Sequence, residues 1–221
     1  YMLNCGLGTF LMPICAIAVL WKGSELFAML DAIFAEKADS VLLLLCVVLC
    51  GLASMNFMTA PSVSLEGKSL WLMQSLPIEP WRIFRAKIRM QLLLTGLPLL
   101  LCIVCMVVVY PIHSMQLLML LLFAGSYVLF MALVGLFFGI KMPTLTWTNE
   151  VMLIKQGAPV MITLFGGFGY MVLLFVGFML LPGWILGFCG YMSCYVGANL
   201  FLSGWVYLWL RKKGVARFSA L

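Results

Sequence analysis

Charge is what this 221-residue chain has least of: 9% of its residues are Asp, Glu, Lys or Arg, against about 25% in an ordinary soluble domain. With 65% hydrophobic residues and a mean hydropathy of +1.17, it has too little polar surface to face water on every side. That excludes a soluble globular enzyme, and disorder is excluded because it needs low hydrophobicity. There is a single histidine, His113, so bis-histidine haem ligation within the chain is impossible and a His-based zinc site of the H-E-x-x-H kind is missing. No Ser–His pairing is evident, which leaves an intramembrane hydrolase poorly supported. The eight cysteines (5, 15, 46, 50, 102, 105, 189 and 194) all lie inside apolar runs, where free cysteine behaves as a small hydrophobe. Cys102 and Cys105 have a redox spacing but no basic neighbour to stabilise a thiolate. The surplus of basic over acidic residues, 13 against 7, is of the kind that marks cytoplasmic loops of membrane proteins rather than nucleic-acid binding.

What is present in quantity is apolar sequence. Every charged residue falls within 22–39, 66–89, 141–155 or 211–217. The charge-free stretches between them predict six membrane-spanning helices, roughly 1–21, 41–60, 91–110, 115–140, 158–180 and 184–210, since about 20 residues suffice for one span. Pro111, His113 and Ser114 supply a turn between the third and fourth. Leu181-Pro182-Gly183-Trp184 supply one between the fifth and sixth. The runs are continuous rather than alternating, which favours helices over a barrel. Segments 61–90, 141–157 and the tail hold eleven of the thirteen basic residues. An even number of crossings puts them on one side, and the positive-inside rule makes that side and both termini cytoplasmic. Segment 22–39 falls outside. Leu26, Phe27, Leu30, Ile33 and Phe34 recur there at helical spacing while Glu25, Glu36 and Asp39 stay wet, so it reads either as an amphipathic interfacial helix or as a solvated connector. No basic leader precedes the first apolar run, so it does not read as a signal peptide. Glycines crowd the last two spans and let helices approach closely.

The spans as drawn contain no Asp, Glu, Lys or Arg, which lowers the class of proton- and ion-coupled carriers. Polar residues that could line a substrate path are Asn4, Asn56, Tyr127 and Asn199, each equally able to satisfy a neighbouring helix. Gly67-Lys68-Ser69 imitates the end of a phosphate-binding loop. Ser62 stands where the first glycine belongs, however, and Glu66 would put a carboxylate beside the phosphates. The chain therefore shows no nucleotide site and no metal site of its own, and uphill transport would need energy from another polypeptide. Segment 61–90 predicts a helical hairpin at the membrane surface. Its first arm starts near Ser64 and stops before Pro77, and its second starts at Pro80 with Trp81, Phe84 and Ile88 on one face and Arg82, Arg85 and Arg89 on another. It serves either as a lipid-anchored surface element or as a docking surface for a cytoplasmic partner.

Two stretches carry a family resemblance. Ser64-Leu65-Glu66-Gly67-Lys68-Ser69-Leu70-Trp71, continuing through Ser75-Leu76-Pro77-Ile78 to Ala86-Lys87, resembles the S-x-E-G-[KR]-x-x-W-x-x-x-S-L-P-I pattern of a group of bacterial ABC-2 type transporter permeases. Pro143, Trp147-Thr148-Asn149-Glu150 and Lys155-Gln156 are similar to an element that follows the fourth span in those proteins. The resemblance implies an all-α membrane protein, a six-helix bundle of the ABC-2 permease type in the bacterial cytoplasmic membrane. Such a subunit exports a hydrophobic or amphipathic substrate such as a peptide, lipid-like or drug-like molecule. ATP and Mg would sit on a separate ABC ATPase subunit, and a second permease half would complete the transporter. It implies that Glu66, Gly67, Lys68, Leu70, Trp71, Ser75, Leu76 and Pro77 form or brace the element that couples to the ATPase. Trp147, Asn149, Glu150, Lys155 and Gln156 would form a second cytoplasmic element. Family members are often about twice as long, and Tyr1 as first residue leads to the expectation of a C-terminal half. A secondary carrier or substrate-binding component, and a membrane enzyme or scaffold, are the rival classes.

Overall fold

The computed structural model describes residues 5–34, 39–67, 75, 77–145, 147, 150–180 and 183–220, with 150, 152, 155 and 183–186 described by backbone alone. Every regular element among them is helical: α1 Leu7–Ile33, α2 Ser40–Ser54, α3 Ser62–Leu65, α4 Pro80–Val109, α5 Ser114–Lys141, α6 Glu150–Gln156, α7 Ala158–Leu180, α8 Gly183–Trp209, a π-helical turn Leu210–Gly214 and α9 Val215–Ser219. Four of these, α1, α4, α5 and α7, are long and apolar enough to cross a membrane; α2 is apolar but spans 15 residues. The exposed faces of the long helices are apolar, with Ile14, Leu97, Val104 and Val172 all more than half exposed. Water would not tolerate such faces at this extent, whereas lipid chains cover them. The chain is a multi-pass helical membrane protein.

Contacts fix how the helices run. Thr9 meets Leu94 and Gly23 meets Val109, so α1 and α4 run in the same direction. Ser54 meets Tyr127 and Ala60 meets Gly139, so α2 and the link after it follow α5. Ser126 meets Asn199 and Phe137 meets Trp209, so α5 and α8 are also parallel. Tyr170 meets Asn199 and Phe178 meets Tyr191, which sets α7 against α8. The six long or apolar helices therefore alternate in direction along the chain. One end of the bundle gathers the start of α4, the end of α5, the start of α7 and the π turn. It holds Lys87, Lys141, Arg211, Lys212, Lys213 and Arg217, and we call it the basic end. At the opposite end the Tyr110 hydroxyl donates to Asp31 Oδ1 at 3.2 Å, and Gln116 Nε2 donates to Asp39 Oδ1 at 2.8 Å. Helix α5 is central, with 50% of its most apolar stretch buried against 22% for α1 and α7.

Two expectations from the sequence change. The segment after residue 21 does not form a separate interfacial helix, because α1 continues unbroken to Ile33. The cause is its buried stripe: Gly8, Met12, Ala16, Gly23 and Phe27 recur at multiples of the helical turn, so packing against α4 carries on past Lys22 while Glu25 and Asp31 lie off the stripe. The first arm of the 61–90 hairpin also differs. Its helix is the single turn Ser62–Leu65, and Glu66 and Gly67 already form a turn; residues 68–74 lie outside the described residues. The second arm starts at Pro80, as the first helical position favours, and continues without a break into α4. The eight cysteines are all free thiols.

Glycine is required at two kinds of place. Gly187 sits inside α8 at φ 59°, ψ 176°, a conformation open essentially to glycine alone. Gly139 lets α5 approach the chain link after α2, where a Cβ would lie 2.6 Å from the Ala60 carbonyl oxygen. Gly139→Ala is expected to destabilise the protein by about 1–3 kcal/mol through overpacking against backbone. Gly166→Ala, whose Cβ would meet nothing within 4 Å, is expected to change stability by no more than about 0.5 kcal/mol. Thermal unfolding of both variants in detergent micelles checks the contrast.

Candidate functional site

Between α2 and α3 the chain leaves the helix while still buried: Asn56, Thr59 and Ala60 are each 1% exposed or less. Irregular backbone inside a membrane protein must find partners within the protein. Here one side chain supplies two of them. Gln91, 2% exposed on α4, accepts from the Thr59 N–H at 2.9 Å and donates to the Asn56 carbonyl at 2.8 Å. Thr59 in turn donates its hydroxyl to the Ala132 carbonyl of α5 at 3.0 Å. Asn56 Oδ1 accepts from the Thr9 N–H at 3.0 Å and the Thr9 hydroxyl at 3.2 Å, and the Phe57 N–H donates to the Cys5 carbonyl at 3.1 Å. The break in α2 is thus pinned to α1, α4 and α5 at once.

This pinned link delivers α3 to the 143–147 segment. Ser64 is 1% exposed and works from both ends. Its hydroxyl accepts from the Thr144 N–H at 3.0 Å, and its carbonyl accepts from Trp147 Nε1–H at 2.8 Å. Gly67 faces Leu145 so closely that a Cβ would lie 3.1 Å from the Leu145 carbonyl oxygen and 3.2 Å from its Cα. On the other flank Lys87 Nζ stands 2.6 Å from Glu66 Oε2 and also donates to the Ser62 carbonyl at 3.3 Å. The side chains of that pair are 12% and 22% exposed. At this burial the pair serves position more than net stability, since desolvation offsets much of the attraction. Beneath it, Ile154 of α6 packs with Cys5, Met58 and Leu65. The two sequence stretches that carry the family resemblance, about 80 residues apart, therefore meet in one junction.

The remaining candidates fall as follows. Ser75 and Pro77 are exposed, and Ile78 beside them is 45% exposed. Lys68, Leu70, Trp71, Leu76, Asn149 and Asn4 lie outside the described residues. Glu150 opens α6 and Gln156 ends it exposed, while the side chains of Glu150 and Lys155 are not among those described. Asn56, Tyr127 and Asn199 each hydrogen-bond to a neighbouring segment of the protein. Tyr127 pairs its hydroxyl with Ser54 at 2.5 Å, and Asn199, fully buried, accepts from the Tyr170 hydroxyl at 3.0 Å and donates to Ser126 Oγ at 3.4 Å. Each of the three binds helix to helix. Sequence reasoning passed over Gln91 and Thr9. The available signal was Gln91 itself, the first amide of a charge-free run, at the start of the third span.

Gln91→Leu keeps the volume and removes both clamp bonds, leaving the Thr59 N–H and the Asn56 carbonyl buried without partners. The expected loss is about 2–4 kcal/mol, at about 1–3 kcal/mol for each orphaned group. Denaturant unfolding in mixed micelles measures it, and an unchanged midpoint contradicts the clamp.

Compared with protein-family models, with curated proteins and with solved structures, the chain matches none.

Proposed function

We propose that this chain is a membrane-spanning permease subunit of an ABC-type exporter, driven by ATP hydrolysed on a separate subunit. In this reading α1, α2, α4, α5, α7 and α8 are six crossings of a bacterial cytoplasmic membrane. The basic end and both termini face the cytoplasm, as the positive-inside rule requires. The alternating helix directions support the even number of crossings.

The observation that carries the proposal is the junction of Ser64, Glu66 and Gly67 with Thr144, Leu145 and Trp147. A coupling element has to move as a rigid piece, or the force of nucleotide-driven closure is absorbed by a loose loop. The stretch that includes Lys68, Leu70, Trp71 and Leu76 would meet the ATPase. Its root is held by the Glu66–Lys87 pair to α4 and by Ser64 to the chain that enters α6 and α7. Displacement of the 68–77 segment would reach two helices at once, α4 directly and α7 through α6. ATP binding closes two nucleotide-binding subunits, the paired permease halves rock, and a path opens outward for a hydrophobic or amphipathic cargo. The free energy comes from differential affinity of the ATPase for the two states.

The test uses the chain copurified with its ATPase and reconstituted in liposomes. Trp71→Asp and Leu76→Asp are expected to abolish stimulation of ATP hydrolysis with normal membrane insertion. Ser64→Val, which removes the acceptor for Thr144, is expected to keep the ATPase bound while lowering stimulation severalfold. Cargo movement on an ion gradient, without nucleotide and without a copurifying ATPase, would favour a secondary carrier and overturn the proposal.

A further inference from the structure

We propose that the surface made by Lys141, the π-helical turn Leu210–Gly214 and α9 binds the headgroup of an anionic phospholipid. After Trp209 the last long helix widens into the π turn, a feature frequent at functional sites. That turn carries Arg211, Lys212 and Lys213, all exposed. Helix α9 then packs against α4, with Phe218 buried at 5.3 Å from the Phe84 ring. This brings Arg217 to the end of α5, where its guanidinium donates to the Lys141 carbonyl at 3.1 Å. A helix C-terminus favours a cation there. Lys141 Nζ lies 5.5 Å from the Phe137 ring, and that ring packs on Trp209 at 4.6 Å.

Five cations from segments some 70 residues apart thus converge. Among the described residues the ion pairs are Lys87 with Glu66 and Arg82 with Glu79, and no carboxylate is within ion-pair distance of any of the five. The neighbouring surface identifies the occupant. Going back along α8 from the cations, Leu208, Trp205 and Phe201 follow at three- and four-residue spacing and are 56%, 59% and 76% exposed. A molecule that fills the whole surface has to offer negative charge to the π turn and hydrocarbon to these three side chains. An anionic phospholipid does both, and tryptophan such as Trp205 is a residue enriched where headgroups meet hydrocarbon. An acidic soluble protein would cover the cations and leave the apolar strip, and inorganic phosphate would cover neither fully. Lys141 lies three residues before Thr144, so a bound lipid would steady the segment that holds Ser64.

The full chain in a neutral mild detergent is titrated with fluorescent phosphatidylglycerol, with unlabelled phosphatidylcholine, phosphatidylglycerol and inorganic phosphate as competitors. The expected result is saturable binding displaced by phosphatidylglycerol alone and weakened by high salt. Each neutralised cation is expected to weaken it about fivefold, and Arg211→Gln with Lys212→Gln and Lys213→Gln about a hundredfold. Lys141→Gln, which leaves the buried contacts of α9 in place, carries the same test should the triple variant fail to fold. The proposal is overturned by variants that bind as the native chain does, by equal competition from phosphatidylcholine, or by displacement with inorganic phosphate. It is also overturned if the triple variant keeps the lipid and loses a copurifying protein, which would make the patch a protein-docking site.

Discussion

A polypeptide in lipid has to satisfy every backbone N–H and C=O from within, and the stretch between α2 and α3 is where this chain meets that constraint without a helix. The two bonds of Gln91 to residues 56 and 59 allow the apolar helix α2 to end while buried. The junction around Ser64 is built on that clamp. Because α2 ends early, α3 turns across the start of α4, Glu66 comes within reach of Lys87, and Ser64 meets Thr144 and Trp147.

The same constraint explains how polar side chains are used elsewhere. Ser54 with Tyr127, Tyr170 with Asn199, and Asn199 with Ser126 each join two helices. In lipid, where apolar contact alone gives little preference for a neighbouring helix over acyl chains, such bonds and close glycine contacts decide which helices pair. Gly51 against Met171, Gly167 against Ser54 and Gly139 against Ala60 supply those close approaches. The interior is apolar between these points.

Much of the architecture was legible in composition. Runs without charge marked the helices, and Pro111 with His113 marked the turn between α4 and α5, where α5 begins at Ser114. Pro80 marked a helix start because its missing N–H is spared at that position. What was illegible depends on three-dimensional neighbours. Lys22, Glu25 and Asp31 looked like the end of a span, yet the stripe through Gly23 and Phe27 keeps α1 on α4. Asn56 could be read either as lining a path or as satisfying a neighbouring helix, and only the fold shows its side-chain oxygen accepting from Thr9. The motif stretches at 64–67 and 143–147 could be read one by one. That the same serine joins them requires the clamp at Gln91, which no local pattern announces.

The proposed function requires the 61–90 segment to face the cell interior. Ile78, exposed beside Pro77, is the place to ask. A single cysteine at Ile78 in a cysteine-free background is treated with a membrane-impermeant maleimide in inside-out and right-side-out vesicles. Labelling is expected in inside-out vesicles alone, with protection when the proposed ATPase subunit is bound. Labelling in right-side-out vesicles would contradict it.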